Sequence, residues 1–166
     1  MSAKNIALLV IDMQKAFFTN NSKRSMRKAV DYINYAVDLF RNNDKKIIWV
    51  QDDKYTRQGT EGFEIIDLLE PKDGEKRIVK HYGNSFNKTD LLECILKEKI
   101  DTVIITGYCA EYCVLSTYRG ALDCDLTPKI LKNAIASGND KNMEFVENVS
   151  DLITVNELEK NIQNGT

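Results

Sequence analysis

Four residues whose side chains carry out acid, base or nucleophilic chemistry follow the aliphatic segments of this sequence. Asp12 follows NIALLVI, Asp52 follows KIIWVQ, Lys80 ends RIVK, and Cys113 comes shortly after TVIIT. A carboxylate can accept a proton, a lysine supplies a positive charge, and a thiolate attacks carbonyl carbons. The residue types therefore indicate nucleophilic catalysis on an acyl compound.

The segment TGYCAEYCVLST carries the candidate nucleophile. We expect a strand to end at Thr106, Gly107 to allow a tight turn, and Cys113 to lie in the first turn of the next helix. The positive end of the helix dipole would favour a thiolate there. The alternative is that Cys113 is a small buried apolar residue, which is the commonest role of a free cysteine.

Asp12 and Lys80 each have an ordinary structural interpretation as well. Asp12 could be a turn residue, although a carboxylate buried at a strand end must be paired or protonated. Lys80 could be a solvated surface lysine. His81 is the only histidine, and because neighbours on a strand point in opposite directions, Lys80 and His81 should not face the same site.

The hydrophobic pattern predicts alternating strands and helices, hence an α/β fold with a mainly parallel sheet. In such sheets, functional groups lie beyond the carboxyl ends of the strands, where all four candidates are placed. We interpret residues 1–166 as a single domain. The predicted strands cover residues 5–12, 46–51, 77–80, 102–106 and, as an edge strand, 127–132; the predicted helices cover 25–42, with Ser25 as its cap, 89–97, 113–122 and 141–148.

Composition excludes several classes of protein. The net charge of −2 over 166 residues offers no basic surface for nucleic acid. The apolar run over residues 6–11 is far shorter than the roughly 20 residues of a membrane-spanning helix, so we expect no membrane partner and a cytoplasmic location. The four cysteines lack zinc-site spacing and are expected to be reduced thiols.

Three motifs, LLVIDMQKAFF, IVKHYGNSFNKTDL and ITGYCAEYCVLSTYRGA, resemble in order and spacing the isochorismatase-like cysteine hydrolases. That family includes nicotinamidases, N-carbamoylsarcosine amidohydrolase and ureidoacrylate amidohydrolase. The resemblance spans residues 6–136. It implies a three-layer α-β-α fold, a homodimer or homotetramer, and hydrolysis of a C–N bond in a small amide or ureide through a covalent thioester.

The resemblance also assigns roles to individual residues. Asp12, Lys80 and Cys113 fall on the catalytic aspartate, lysine and cysteine, and Gln14 and Phe17 complete a D-x-Q-x-x-F pattern. It implies a cis peptide bond between Tyr108 and Cys109. The backbone N–H groups of Cys109 and Cys113 would then form an oxyanion hole.

The sequence departs from relatives that bind a metal near the substrate. Asp52 could match their aspartate, but QDDKYTRQGTEGF contains no histidine, so we expect no metal and no cofactor. Glu111 stands where many members have Asp. The candidate residues of a substrate pocket are Phe17, Gln51, Asp52, Phe86, Tyr108 and Tyr112.

Two other functions compete with hydrolysis. A receiver-like phosphoacceptor domain would need an acidic pair after the first strand to bind Mg²⁺, but Asp12 is followed by Met13. A catalytically silent member of the same fold could bind a small metabolite. The Asp12, Lys80 and Cys113 set favours an enzyme.

Overall fold

A computed structural model of the protein describes residues 5–164, in which six parallel strands form one sheet in the order β3-β2-β1-β4-β5-β6. The strands are β1 (Ile6–Ile11), β2 (Lys46–Asp52), β3 (Lys76–Lys80), β4 (Thr102–Tyr108), β5 (Thr127–Ala136) and β6 (Leu152–Ile153). The α-helices are α1 (Lys23–Asn42), α2 (Leu91–Lys97), α3 (Leu115–Asp123), α4 (Asp140–Asn148) and α5 (Val155–Gln163). The predicted α/β class with a parallel sheet is confirmed.

Helices cover both faces of this sheet, which explains why β1 is apolar along its whole length. Leu8 and Val10 pack on the face covered by α1 and α5, whereas Leu9 and Ile11 pack on the face covered by α2, α3 and α4. Successive side chains of a strand point to opposite faces, so a strand buried on both sides needs a continuous apolar run. The three-layer arrangement follows from these two cores.

The fifth strand is longer than predicted and is not at the edge of the sheet, because β6 pairs with it at Ile130 and Leu131. The edge position was expected because Pro128 has no N–H to donate, and the structure accommodates this proline. The Ile130 N–H donates to Asp151 on the β6 side, and alternation along the strand makes the Pro128 nitrogen face the same side. No residue of β6 pairs at Pro128, so its missing N–H costs no hydrogen bond.

The start of α1 also differs from the prediction. The helix begins at Lys23, and Ser25 lies inside it rather than capping it. Its hydroxyl donates to the carbonyl oxygens of Ser22 (2.9 Å) and Ser137 (2.5 Å). Ser25 thereby fixes the end of β5 against α1, close to the candidate site described below.

Gly107 continues β4 instead of ending it. Its φ of +115° is one that other residues rarely adopt, and a Cβ at this position would lie 2.0 Å from the carbonyl oxygen of Ile11. Glycine therefore allows β4 to approach β1 closely. The chain then forms a π-helical turn at Ala110–Val114, so α3 begins at Leu115 rather than at Cys113.

Within residues 5–164, no helix has the length and apolarity that crossing a membrane requires.

Candidate active site

The strand order brings the predicted site residues to the same edge of the sheet. Asp12 follows β1, and Asp52 and Lys80 end the adjacent strands β2 and β3. Cys113 lies in the π-helical turn that follows β4 on the other side of β1. The carboxyl ends of parallel strands thus gather an acid, a second acid, an ammonium and a thiol.

Lys80 is the centre of this cluster. Its Nζ lies 2.8 Å from Asp12 Oδ2 and 3.2 Å from Asp52 Oδ2, and it is 3.3 Å from Cys113 Sγ. The lysine side chain is fully buried, so it is not a solvated surface residue. Three acceptors of this kind match the three donors of an ammonium group.

Two carboxylates and a thiol set the charge state of that lysine. Burial by itself disfavours the ammonium, but attraction to Asp12, Cys113 and Asp52 outweighs burial, so the net pKa of Lys80 is raised. Lys80 therefore remains charged at neutral pH. It acts as a permanent positive charge inside the site.

Asp12 combines a left-handed backbone with a buried carboxylate. It adopts a left-handed backbone with a φ of 51°, and its N–H donates to the Val50 carbonyl oxygen at 2.9 Å. Oδ2 pairs with Lys80, whereas Oδ1 is buried without a hydrogen-bond partner among the described residues. Burial raises the pKa of Asp12 to about 6, against the opposing effect of Lys80.

The Cys113 thiol is not activated in the way the sequence suggested. Burial raises the pKa of Cys113, and the charge of Asp12 raises it further, while Lys80 only partly compensates. The net shift of the Cys113 pKa is therefore opposite in direction to the lowering expected from the sequence, because burial and the charge of Asp12 outweigh the effect of Lys80. The resting site holds a protonated thiol beside a carboxylate.

The loop between β4 and α3 shapes the space in front of the thiol. The peptide bond between Tyr108 and Cys109 is cis. The N–H groups of Tyr112 and Val114 both donate to the Cys109 carbonyl oxygen at 3.1 Å. This loop therefore folds back on itself and presents Cys109 and Cys113 to one pocket.

That pocket has a volume of about 520 Å³. Phe17, Asp52, Tyr108 and Tyr112 lie on its wall as predicted from sequence, and the Phe17 and Tyr108 rings stack with centroids 5.5 Å apart. Sequence reasoning missed other wall residues, because nothing local distinguishes them from ordinary loop residues. These include Lys54, Gly83, Ser116 and Gly138.

Two of the predicted pocket residues lie elsewhere. Gln51 is buried, and its amide donates to the Phe63 carbonyl oxygen at 2.9 Å. Successive side chains of a strand point to opposite faces, and it is Asp52 that lines the pocket. Phe86 packs on the core between the sheet and α2 and α3. An aromatic side chain that fills a core is the commoner case in an α/β domain.

Gln14 holds the second carboxylate in place. Its Nε2 donates to the carbonyl oxygens of Asp52 and Phe63, both at 3.0 Å, and to Thr56 Oγ1 at 2.9 Å. Its Oε1 accepts from the Asp52 N–H at 2.7 Å. The glutamine of the D-x-Q pattern thus fixes the end of β2 and the loop that follows it.

The residues present do not fit a divalent metal ion. One ligand atom from each of Asp12, Asp52 and Cys113 lies within 4.8 Å of the other two. However, the Lys80 ammonium contacts all three groups and so takes the place that a cation would occupy. His81 points outward, with Nδ1 3.0 Å from Asp53 Oδ1, and does not add a ligand.

Known proteins match this chain over most of its length. A family model described as the isochorismatase domain matches residues 6–156. The isochorismatase family protein YrdC of Bacillus subtilis is 31% identical, over 79% of this chain and 73% of YrdC. The ureidoacrylate amidohydrolase RutB of Klebsiella pneumoniae is 24% identical, over 77% of this chain and 72% of RutB.

A solved structure agrees with these sequence matches. The isochorismatase-like hydrolase from Alkaliphilus metalliredigens superimposes with a TM-score of 0.85 at 25% identity. The superposition covers 98% of this chain and 99% of that one. These matches leave no support for a receiver-like domain.

Proposed function

We propose that this chain, which belongs to the isochorismatase family of hydrolases, is a cysteine hydrolase. It cleaves the C–N bond of a small amide or ureide through a thioester on Cys113. The observation that carries this proposal is the buried contact of Lys80 with Asp12 and Cys113. The activity in RutB's name, hydrolysis of a ureido compound, supports the substrate class.

The first half of the reaction begins with proton transfer. Asp12 Oδ1, which has no partner among residues 5–164, accepts the thiol proton as Cys113 Sγ attacks the carbonyl carbon of the substrate. The net charge of the site is unchanged, since the negative charge that the carboxylate loses appears on the carbonyl oxygen of the substrate. This coupling explains how a thiol with a raised pKa can react at neutral pH.

The tetrahedral intermediate then collapses to the thioester. The backbone N–H groups of Cys109 and Cys113 stabilise its oxyanion, and removing one such donor typically costs about 10²–10³ in kcat. The C–N bond breaks, and the leaving nitrogen takes the proton held by Asp12. Lys80 keeps its proton throughout and balances the carboxylate charges.

Water completes the cycle in the second half. Asp12 removes a proton from a water molecule, whose hydroxyl adds to the thioester carbonyl carbon. The C–S bond breaks, the acid product leaves, and the sulfur recovers its proton from Asp12. Atoms and charges balance without a metal or cofactor.

A panel of small amides and ureides tests the proposed activity. The purified protein should release ammonia or an amine from at least one member, and release should persist after exhaustive chelation. Lack of turnover across the panel, together with tight binding of one of its members, would instead support a catalytically silent metabolite-binding protein.

The pH profile of kcat/KM should report the ionisation of Asp12. The pKa of this carboxyl is about 6 because of burial, and only the ionised form can accept the thiol proton. We therefore expect kcat/KM to fall as the pH drops through about 6 and to level off at neutral pH. A profile that stays flat from neutral pH to the pKa of an ordinary carboxyl group, about 4, would contradict this assignment.

A further inference from the structure

Glu111 connects the two loops that form one wall of the pocket. Its Oε2 accepts from the Cys109 thiol at 3.0 Å. Its Oε1 accepts from Ser137 Oγ at 3.0 Å and from Asn142 Nδ2 at 2.6 Å. One carboxylate thus joins the loop after β4 to the connection between β5 and α4.

The partners of Glu111 are themselves fixed to the framework. Ser137 is buried, its hydroxyl accepts from the Asn139 N–H at 3.0 Å, and its carbonyl oxygen accepts from Ser25 of α1. Asn142 lies in the first turn of α4. Glu111 therefore ties a loop of the active site to two helices and a strand end.

An ionised carboxylate matches the three groups that surround this position. The Cys109 thiol, the Ser137 hydroxyl and the Asn142 amide are all donors, and an ionised carboxylate only accepts. Burial would raise the pKa of Glu111, but these donors outweigh burial, so the net pKa is lowered. A glutamine in its place would keep one acceptor oxygen and would turn the second acceptor into a donor.

We propose that Glu111 is a positioning residue for the oxyanion hole. It holds the backbone N–H of Cys109 in position beside the backbone N–H of Cys113. This inference rests on the proposed function. Glu111 acts through hydrogen bonds to the loop and takes no proton in the reaction. Its length matters as well as its charge, because an aspartate at this position would stop one methylene short of Ser137 and Asn142.

Glu111→Gln and Glu111→Asp separate this role from general stability. Both variants should lower kcat about 10-fold or more, a fraction of what a complete oxyanion donor contributes, with KM changed less than about 3-fold. Alkylation of Cys113 by iodoacetamide should keep the parent's rate, because displacement of iodide needs no oxyanion hole. The matched control is Glu147→Gln, whose Oε1 accepts from the Asn133 N–H outside the pocket, and it should behave like the parent.

An adduct that needs no turnover tests the same point independently. Benzaldehyde should add reversibly to Cys113: a C–S bond forms, Asp12 takes the thiol proton, and the carbonyl oxygen becomes an oxyanion that the N–H groups of Cys109 and Cys113 stabilise. Protection of Cys113 from iodoacetamide gives the affinity of this adduct. We expect Glu111→Gln to weaken the adduct about 10-fold or more relative to the parent and to Glu147→Gln.

These experiments distinguish a failure of the positioning role of Glu111 from a failure of the proposed hydrolase function. Parent-like kcat and adduct affinity in both Glu111 variants would overturn the positioning role. A lower melting temperature together with alkylation and hydrolysis rates that fall by the same factor would also overturn it. A parent that hydrolyses no amide or ureide, yet shows an adduct weakened by Glu111→Gln, would refute the proposed function and keep the positioning role. A parent that forms no adduct would overturn the oxyanion hole itself.

Discussion

Replacing Cys113 with alanine should reduce hydrolysis of the best amide or ureide substrate at least about 10⁴-fold, since removal of a catalytic nucleophile has effects of this order or larger. The substitution leaves Lys80 paired with Asp12 and Asp52. The variant should therefore fold, and circular dichroism and thermal unfolding should show this. Steady-state kinetics with a stringent test for contaminating activity is the measurement.

Cys124→Ala is the matched control for that experiment. Cys124 is a free thiol at the end of α3 and does not line the pocket. Its alanine variant should keep the kcat and KM of the parent. Activity that survives Cys113→Ala, or that disappears with Cys124→Ala, would show that Cys113 is not the nucleophile.

Replacing Asp12 with asparagine should make the thiol easier to ionise and the enzyme slower. The charge of Asp12 raises the pKa of Cys113, so its removal lowers that pKa, although burial continues to raise it. Alkylation of Cys113 should then reach half its maximal rate at a lower pH than in the parent. Hydrolysis should nevertheless fall about 10²–10⁴-fold, because the group that takes the thiol proton and then donates it to the leaving nitrogen is gone.

Asp53→Asn is the matched control for the effects expected on the pH midpoint of alkylation and on the rate of hydrolysis. Asp53 follows Asp52 but turns outward to His81, so its asparagine variant should match the parent in both assays. If Asp12→Asn raised the alkylation midpoint, or left hydrolysis intact, Asp12 would not be the proton acceptor. Identical alkylation profiles in Asp12→Asn and the parent would mean that Asp12 does not influence the thiol.

The sequence was sufficient to predict which side chains meet at the candidate site. Aliphatic runs such as IALLVI are typical of strands buried on both faces, and parallel strands bring their carboxyl ends together. That rule alone predicted that Asp12, Lys80 and the loop of Cys113 would share one edge.

The protonation states of the site residues could not be predicted from the sequence. The pKa of Cys113 depends on its burial and on how close Asp12 and Lys80 lie to the thiol, and the contact of Asp52 with Lys80 forms only when β2 and β3 are paired. The role of Glu111 is hidden for a similar reason, since Ser137 and Asn142 are distant in sequence. Both are consequences of tertiary contacts rather than of local pattern.

One element was missed even though its signal was present. The segment TVNE begins α5 with a capping box, in which Thr154 and Glu157 bond each other's backbone. Leu158 and Ile162 then repeat at helical spacing and are buried against α1. The short strand β6 before it has only two residues and has no comparable signature.

In the proposed reaction, the acyl group of the substrate passes through the sulfur of Cys113. The most direct test of this step is acid quenching during steady-state turnover, followed by proteolysis and mass spectrometry, with two substrates that share an acyl group but differ in the leaving amine. We expect the same acyl mass on the peptide containing Cys113 with both substrates, and no such mass in Cys113→Ala. Turnover that proceeds with this peptide unmodified, or with the acyl group on another residue, would contradict it.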